Sequence, residues 1–132
     1  MEVRRYIVMG GRDYPSRSRV EAVVTDLVKQ AHKDDAQVII VHGACPTGAD
    51  KYAEEAALRL KSQGYPVDVE RHPAHWQELG KSAGPTRNSR MAAKGALRGF
   101  AFWNGSSPGT LDAIKKVVAC LLYTSPSPRD RG

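Results

Sequence analysis

The sequence predicts an α/β fold, a three-layer sandwich of helices on a mostly parallel sheet of about four strands, with a fifth strand missing or degraded. Three observations carry that prediction. Segments of strand and helix character alternate along the chain as βαβαβαβα, an order satisfied by a parallel sheet covered by helices. Val38, Ile39, Ile40 and Val41 form an uninterrupted apolar run, mostly β-branched, of the kind buried on both faces of such a sheet. Three glycine-bearing loops, residues 10–14, 42–50 and 104–110, each follow a strand pattern and lead into a helix pattern. In a parallel sheet these loops gather at the carboxyl edge, where ligands bind.

The elements follow in order. Residues 3–9 read as the first strand, ended by Gly10 and Gly11, and Ser16 or Ser18 is placed to cap the next helix. That helix runs to about His32 with Val20, Val23, Val24, Leu27, Val28 and Ala31 on one face. After the second strand, Gly43 and Gly48 bracket a short loop stiffened by Pro46, and Thr47 is expected to cap a helix that continues to Gln63 and stops at Gly64. Residues 66–71 alternate Val67 and Val69 with charged residues, as a less buried edge strand does. Residues 72–85 break every period and are expected to form a long functional loop. A helix then starts at Pro85 and runs to about Lys94, residues 100–103 form the fourth strand, and residues 110–119 form the last helix.

At 132 residues the chain is one domain with a single core. Its 41% hydrophobic and 26% charged residues are an ordinary globular balance, without the roughly 20-residue apolar run of a membrane span or an N-terminal block resembling a secretory signal, so the expected location is the cytoplasm and no membrane partner is expected. Two cysteines, Cys45 and Cys120, show neither CxxC nor Cys/His spacing, which indicates no disulfide framework and no metal site. The net charge of +6 favours anionic partners, from nucleotides to nucleic acid. The basic residues are scattered and form no helical stripe interleaved with aromatics, so a dedicated nucleic-acid surface is the weaker expectation.

The C-terminal stretch is set apart. From Cys120 the string CLLYTSPSPRD lacks periodicity and looks like the in-frame translation of a transposase-type sequencing adapter. The domain is therefore expected to span residues 1–119, with 120–132 a non-native or disordered tail and the natural chain continuing into a fifth strand.

Four segments taken together, GGRDY (residues 10–14), HGACPTGAD (42–50), HPAHWQELGKSAGPTRNSRM (72–91) and FWNGSSPGT (102–110), resemble the YspA/YpsA-related branch of the SLOG superfamily, formerly a domain of unknown function. The resemblance covers about residues 3–119. It implies a Rossmann-like nucleotide-binding domain, distantly related to the lonely-guy phosphoribohydrolases and to the DNA-processing protein DprA. Relatives are commonly oligomeric, so a homo-oligomer belongs among the expected assemblies. The phosphoribohydrolases carry a PGGxGTxxE motif, whose glutamate serves cleavage of an N-glycosidic bond, and an RKxxM segment. Gly109 and Thr110 match the GT pair, and Arg87 and Met91 match the second segment, so Arg87 is the residue a hydrolase would use. The glutamate position falls on Ala113. Asp112 is one residue early, a rotation of about 100° on a helix. The expectation is therefore binding of a nucleotide or nucleotide-derived ligand, with no cofactor. Phosphoribohydrolase activity and DprA-like nucleic-acid binding are the alternatives.

The candidate ligand residues are Gly10, Gly11, Arg12 and Asp13 from the first loop; Gly43, Thr47, Gly48 and Asp50 from the second; Arg87, Asn88 and Arg90 from the following helix; and Gly105, Ser106, Gly109 and Thr110 from the last loop. Glycines at a sheet edge let backbone N–H groups approach phosphate. Arg87 and Arg90, three apart, are expected to act together with Arg12 on ligand charge. Asp50 either complements its helix dipole, holds a ribose hydroxyl or orients Arg12. Trp76 either stacks on a base or anchors its loop to the core, the commoner role for such a tryptophan. Cys45 is read as a small residue lining a turn, with a reactive thiol as the alternative. His42, His72 and His75 lack metal-ligand spacing and are read as structural or incidental. No nucleophile is assigned at Ser106 or Ser107.

Overall fold

The computed structural model describes residues 1–103 and 108–124, with residues 117–124 as backbone only. Four parallel strands form one sheet in the order β3-β2-β1-β4: β1 (Glu2–Gly10), β2 (Ala36–His42), β3 (Val67–Arg71) and β4 (Arg98–Phe102). β3 lies at an edge, as its alternating charges predicted. The helices are α1 (Arg17–Lys33), α2 (Ala49–Ser62), the four-residue α3 (Trp76–Leu79), α4 (Ala83–Ala93) and α5 (Pro108–Thr124). Ser16 caps α1 by accepting a hydrogen bond from Arg19 N.

The β1 side chains alternate between two cores, which explains why both faces of that strand are apolar. Tyr6 and Val8 join Val20, Val24 and Val28 of α1 and Ala53, Ala56, Ala57 and Leu60 of α2. Ile7 and Met9 join Val41, Met91 and Ala92 of α4 and Ala113 of α5. The chain therefore winds outward through α1 and α2 on one face, then crosses back so that β4 lies on the other side of β1. Strand order reverses at the β1–β4 boundary, and a cleft opens at the carboxyl ends there.

Residues 72–85 depart from the expected irregular loop. They hold α3, a 3-10 turn (Gly80–Ser82) and the start of α4 at Ala83, two residues ahead of Pro85. Pro85 then occupies the third helical position, where its missing N–H would have had no intrahelical partner. Pro108 opens α5, so Gly109 belongs to the helix's first turn and not to the preceding loop. The backbone of α5 continues through Thr124, beyond the expected end at Ala119. No glycine or proline interrupts residues 110–124. Residues 125–132 of the expected tail lie outside the described residues, as do Gly105, Ser106 and Ser107. Among the described residues no helix is long and apolar enough to cross a membrane.

On the thinner face, Arg5 of β1 reaches across β2 to Glu70 of β3 with two guanidinium nitrogens, Nη2 lying 3.1 Å from Oε2. His72 Nε2 sits 2.6 Å from the same Oε2. The Arg5 guanidinium, with His72, holds the Glu70 carboxyl down to about 2 from its ordinary 4.5. A depressed carboxyl stabilises the fold above pH 4.5, and that contribution is lost as pH falls through about 2. Glu70→Gln is thus expected to cost about 2 kcal/mol near neutral pH, by leaving Arg5 short of its counter-charge. In urea titrations its deficit relative to wild type should shrink as pH drops from 4.5 toward 2; a deficit independent of pH would contradict the assignment.

Candidate functional site

The site begins with an unusually close approach between the end of β1 and the start of α2. A Cβ at Gly10 would lie 2.3 Å from Ala49 Cβ and 3.0 Å from Phe102 O, so glycine is required for α2 and β4 to close on β1 together. Gly48, at φ +79°, is the N-cap of α2, and a Cβ there would lie 2.1 Å from Gly11 O. Thr47 does not cap the helix: its Oγ1 donates to Arg12 O at 2.9 Å, tying the second loop to the first.

The loop after β2 is held from within. Asp50 is 4% exposed, and its Oδ2 accepts from Gly43 N at 3.2 Å and Cys45 N at 3.3 Å. Burial pushes the Asp50 carboxyl up, against the opposing influence of His42, the amide and thiol of Cys45, and Arg87. His42 Nδ1 accepts from Ala44 N at 2.9 Å, which leaves the proton on Nε2 to be donated to Glu54 Oε1, also at 2.9 Å. Burial lowers the His42 pKa and favours this neutral form. Ala44 is accordingly held at φ +59°. Burial also raises the Cys45 thiol, with Asp50 adding to the effect, so Cys45 lacks the environment of an activated nucleophile.

The opposite wall comes from α4 and α5. Arg87 Nη1 donates to Gly43 O and Nε to Asn88 Oδ1 at 2.7 Å. A Cβ on Gly43 would fall 2.4 Å from Arg87 Nη1, so the bare glycine backbone leaves the room that the guanidinium occupies. Asn88, 3% exposed, donates Nδ2 to Gly109 O at 3.3 Å and to Asp112 Oδ2 at 3.0 Å. Lys116 Nζ completes the chain, 3.0 Å from Asp112 Oδ2 and 2.8 Å from Pro85 O. Partial burial works against the Asp112 charge, but Asn88 and Lys116 outweigh it and hold the carboxyl below its usual range.

Between these walls lies a cleft of about 670 Å³, within the 300–1,000 Å³ common for small-molecule sites. Of the residues predicted from sequence it is lined by Gly10, Gly11, Arg12, Gly43, Asp50, Arg87, Asn88, Gly109 and Thr110. Four others are not brought to it. Gly48 packs behind Gly11, Thr47 faces Arg12 O, and Asp13 and Arg90 are exposed outside the cleft. Three residues on a helix still leave about 60° between Arg87 and Arg90, enough here to turn Arg90 to solvent. Asp50 serves the loop backbone and makes no hydrogen bond to Arg12.

The structure also adds residues that the sequence reading did not assign to the site. Asp112 lines the cleft beside Ala113, although an α-helical step separates them. Cys45, Pro73, Ala74 and Met91 line it too. Trp76 is 50% exposed and rims the cleft, so it does not anchor its loop in the core. Only the H-P-A-H-W segment's lack of periodicity hinted at this. No group of three or more His, Cys, Asp or Glu residues that could hold a metal occurs among the described residues.

A family model described as "YspA, cpYpsA-related SLOG family" matches residues 4–78. The chain belongs to the YspA, cpYpsA-related SLOG family. It is also similar to the "Gene 61 protein" of Mycobacterium phage D29, with 32% identity over 114 residues, covering 86% of this chain and 88% of that protein. No solved structure matches it. In this SLOG domain, the matched residues 4–78 include the two loops joined at Gly10, Gly11 and Gly48, while Arg87, Asn88 and Asp112 lie beyond the matched segment.

The close approach at Gly48 gives a direct test. Gly48→Ala is expected to lose at least about 2 kcal/mol in chemical denaturation, from positive φ combined with displacement of the Gly11 backbone. Gly64→Ala, at φ +95° with nothing within 4 Å, should cost only about 1 kcal/mol. Equal losses would show that the contact with Gly11 carries no weight.

Proposed function

We propose that this SLOG domain binds a nucleotide or nucleotide-derived ligand in the cleft at the β1–β4 boundary, with the ligand's phosphate near Arg12 and the first turns of α2 and α5. One observation carries the reading. The carboxylates lining the cleft, Asp50 and Asp112, are both engaged by protein donors, whereas the Arg12 guanidinium makes no ion pair among the described residues. The cleft's available charge is therefore positive, and two helix N-termini add to it. A compact anion fits such a site, and the volume accommodates more than bare phosphate. Family membership supports the same reading, since SLOG domains are typically nucleotide-related.

Glycosidic cleavage is the competing reading. It calls for a carboxylate where buried Ala113 contributes only a methyl group. Asp112 lines the cleft, but its carboxyl is held by Asn88 and Lys116. A binding role fits this arrangement better.

Calorimetry with AMP, ADP-ribose and NAD tests the proposal. At least one is expected to bind, and Arg12→Ala should weaken it about tenfold or more, the scale of one charge-assisted contact, without lowering the melting temperature. No heat from any of them at millimolar concentration would overturn the reading. Free adenine accumulating in the AMP mixture would move it to glycosidic cleavage.

A further inference from the structure

The cleft has two chemically different parts. The glycines of β1 and α5 with Arg12 and Arg87 supply charge and backbone donors, whereas Pro73, Ala74, Trp76, Gly84 and Pro85 supply none from their side chains except the indole N–H. Trp76 is the dominant feature of that second part. Its side chain leads α3, a helix with no buried residue. The benzo edge of the indole lies against the first turn of α4: a Cβ at Gly84 would be 3.3 Å from Cη2 and 3.9 Å from Cζ2, ordinary to tight packing that glycine leaves free. This contact holds the ring without covering it. None of the aromatic pairs or cation–π contacts among the described residues involves Trp76, and half its surface is exposed at the cleft rim.

A large exposed apolar ring held at a cleft rim costs solvation free energy unless a ligand covers it, and a flat apolar face best matches another flat π system. Hydrogen-bonding side chains are what distinguish one base from another, because a site built for a polar edge rejects analogues that leave it unpaired. Stacking makes no such distinction, since every base has a π face. The lining residues 73, 74, 76, 84 and 85 carry no amide, carboxyl or hydroxyl side chain, and the Asn88 amide and the Asp50 and Asp112 carboxyls of the same cleft are bonded to protein partners.

Resting on the nucleotide reading above, we infer that Trp76 is the platform on which the ligand's base stacks, and that the site recognises the phosphoribosyl part of its ligand while tolerating different bases. The phosphate and ribose engage the glycine turns and arginines, and the base rests on the indole beside Gly84 and Pro85. The ligand class is a 5′-nucleotide, or a larger molecule containing one, with base identity weakly read.

The test is calorimetry on the full chain with AMP, GMP, UMP and ribose 5-phosphate, for wild type, Trp76→Ala and Trp76→Phe. The three nucleotides should bind wild type within about tenfold of one another, and ribose 5-phosphate about tenfold or more weaker than AMP, the range of one base–aromatic stack. Trp76→Ala should bring AMP down to the ribose 5-phosphate level and leave ribose 5-phosphate unchanged. Trp76→Phe should recover most of the loss, and a melting temperature within a few degrees of wild type excludes misfolding as the cause. A more than tenfold preference for one base, AMP binding unaffected by Trp76→Ala, or ribose 5-phosphate binding as tightly as AMP would each overturn the inference while the nucleotide site stands. Wild type binding none of the three nucleotides would overturn both.

Discussion

The contact on which this structure depends is the one between the end of β1 and the first turn of α2, where Gly10 meets Ala49 and Gly48 meets Gly11 without space for a side chain. The alanine face of α2 extends that closeness along the sheet: Ala49, Ala53, Ala56 and Ala57 are all fully buried. Small residues bring a helix axis near a sheet, and its N-terminal dipole is brought near with it. The loop between β2 and α2 must then turn within a few residues. Asp50 makes this turn possible by satisfying the amides of Gly43 and Cys45 from inside the helix, since buried donors left unpaired would each cost about 1–3 kcal/mol. The cleft is therefore a by-product of packing on one side and a purpose-built turn on the other.

Its far wall is organised by polar chemistry. Gly43 O, Arg87, Asn88, Asp112 and Lys116 form one continuous chain of contacts linking the β2 loop to α4 and α5. Such a chain fixes the positions of Gly109 and Arg87 relative to the glycine loops, so that the site does not have to assemble around its ligand. His42 plays the same part behind the second loop, with one ring nitrogen on Ala44 N and the other on Glu54. Burial of Asp50, His42 and Asn88 thus marks a framework, and the groups left for a ligand are the less buried ones in front of it: Arg12, Trp76 and the first turn of α5.

The fold was legible in the sequence because its signals are local. The β-branched run at residues 38–41, the Val20, Val24 and Val28 stripe and the glycine stops at Gly11 and Gly64 each report directly on burial or backbone conformation. The site was legible at the level of loops and less so at the level of side chains. Gly10, Gly43 and Arg87 do line the cleft, and glycine turns and cations announce themselves by type and place. Arg90 lies exposed outside the cleft, since helical spacing alone does not say which of two neighbours faces inward. Thr47 does not cap its helix because its hydroxyl finds a partner 35 residues away in the first loop, Arg12 O, and Asp50 turns back to the loop amides of Gly43 and Cys45; neither partner is marked by local spacing. The sequence left Trp76 between two roles, and its place at the rim rests on a contact with Gly84 in the first turn of α4, one residue before the proline from which the sequence starts that helix.

These elements describe a SLOG domain whose cleft is assembled from four sequence-distant segments around a helix pressed against a strand. The most direct measurement of that account is an amide and indole NMR titration of the full chain with AMP. Shifts concentrated at Gly10, Gly11, Arg12, Gly43, Thr110 and the Trp76 indole are the predicted result. Saturable shifts centred elsewhere, for example on Lys51, Glu54 and Arg71 at the smaller hollow beside His42, or the absence of shifts at millimolar AMP, would contradict it.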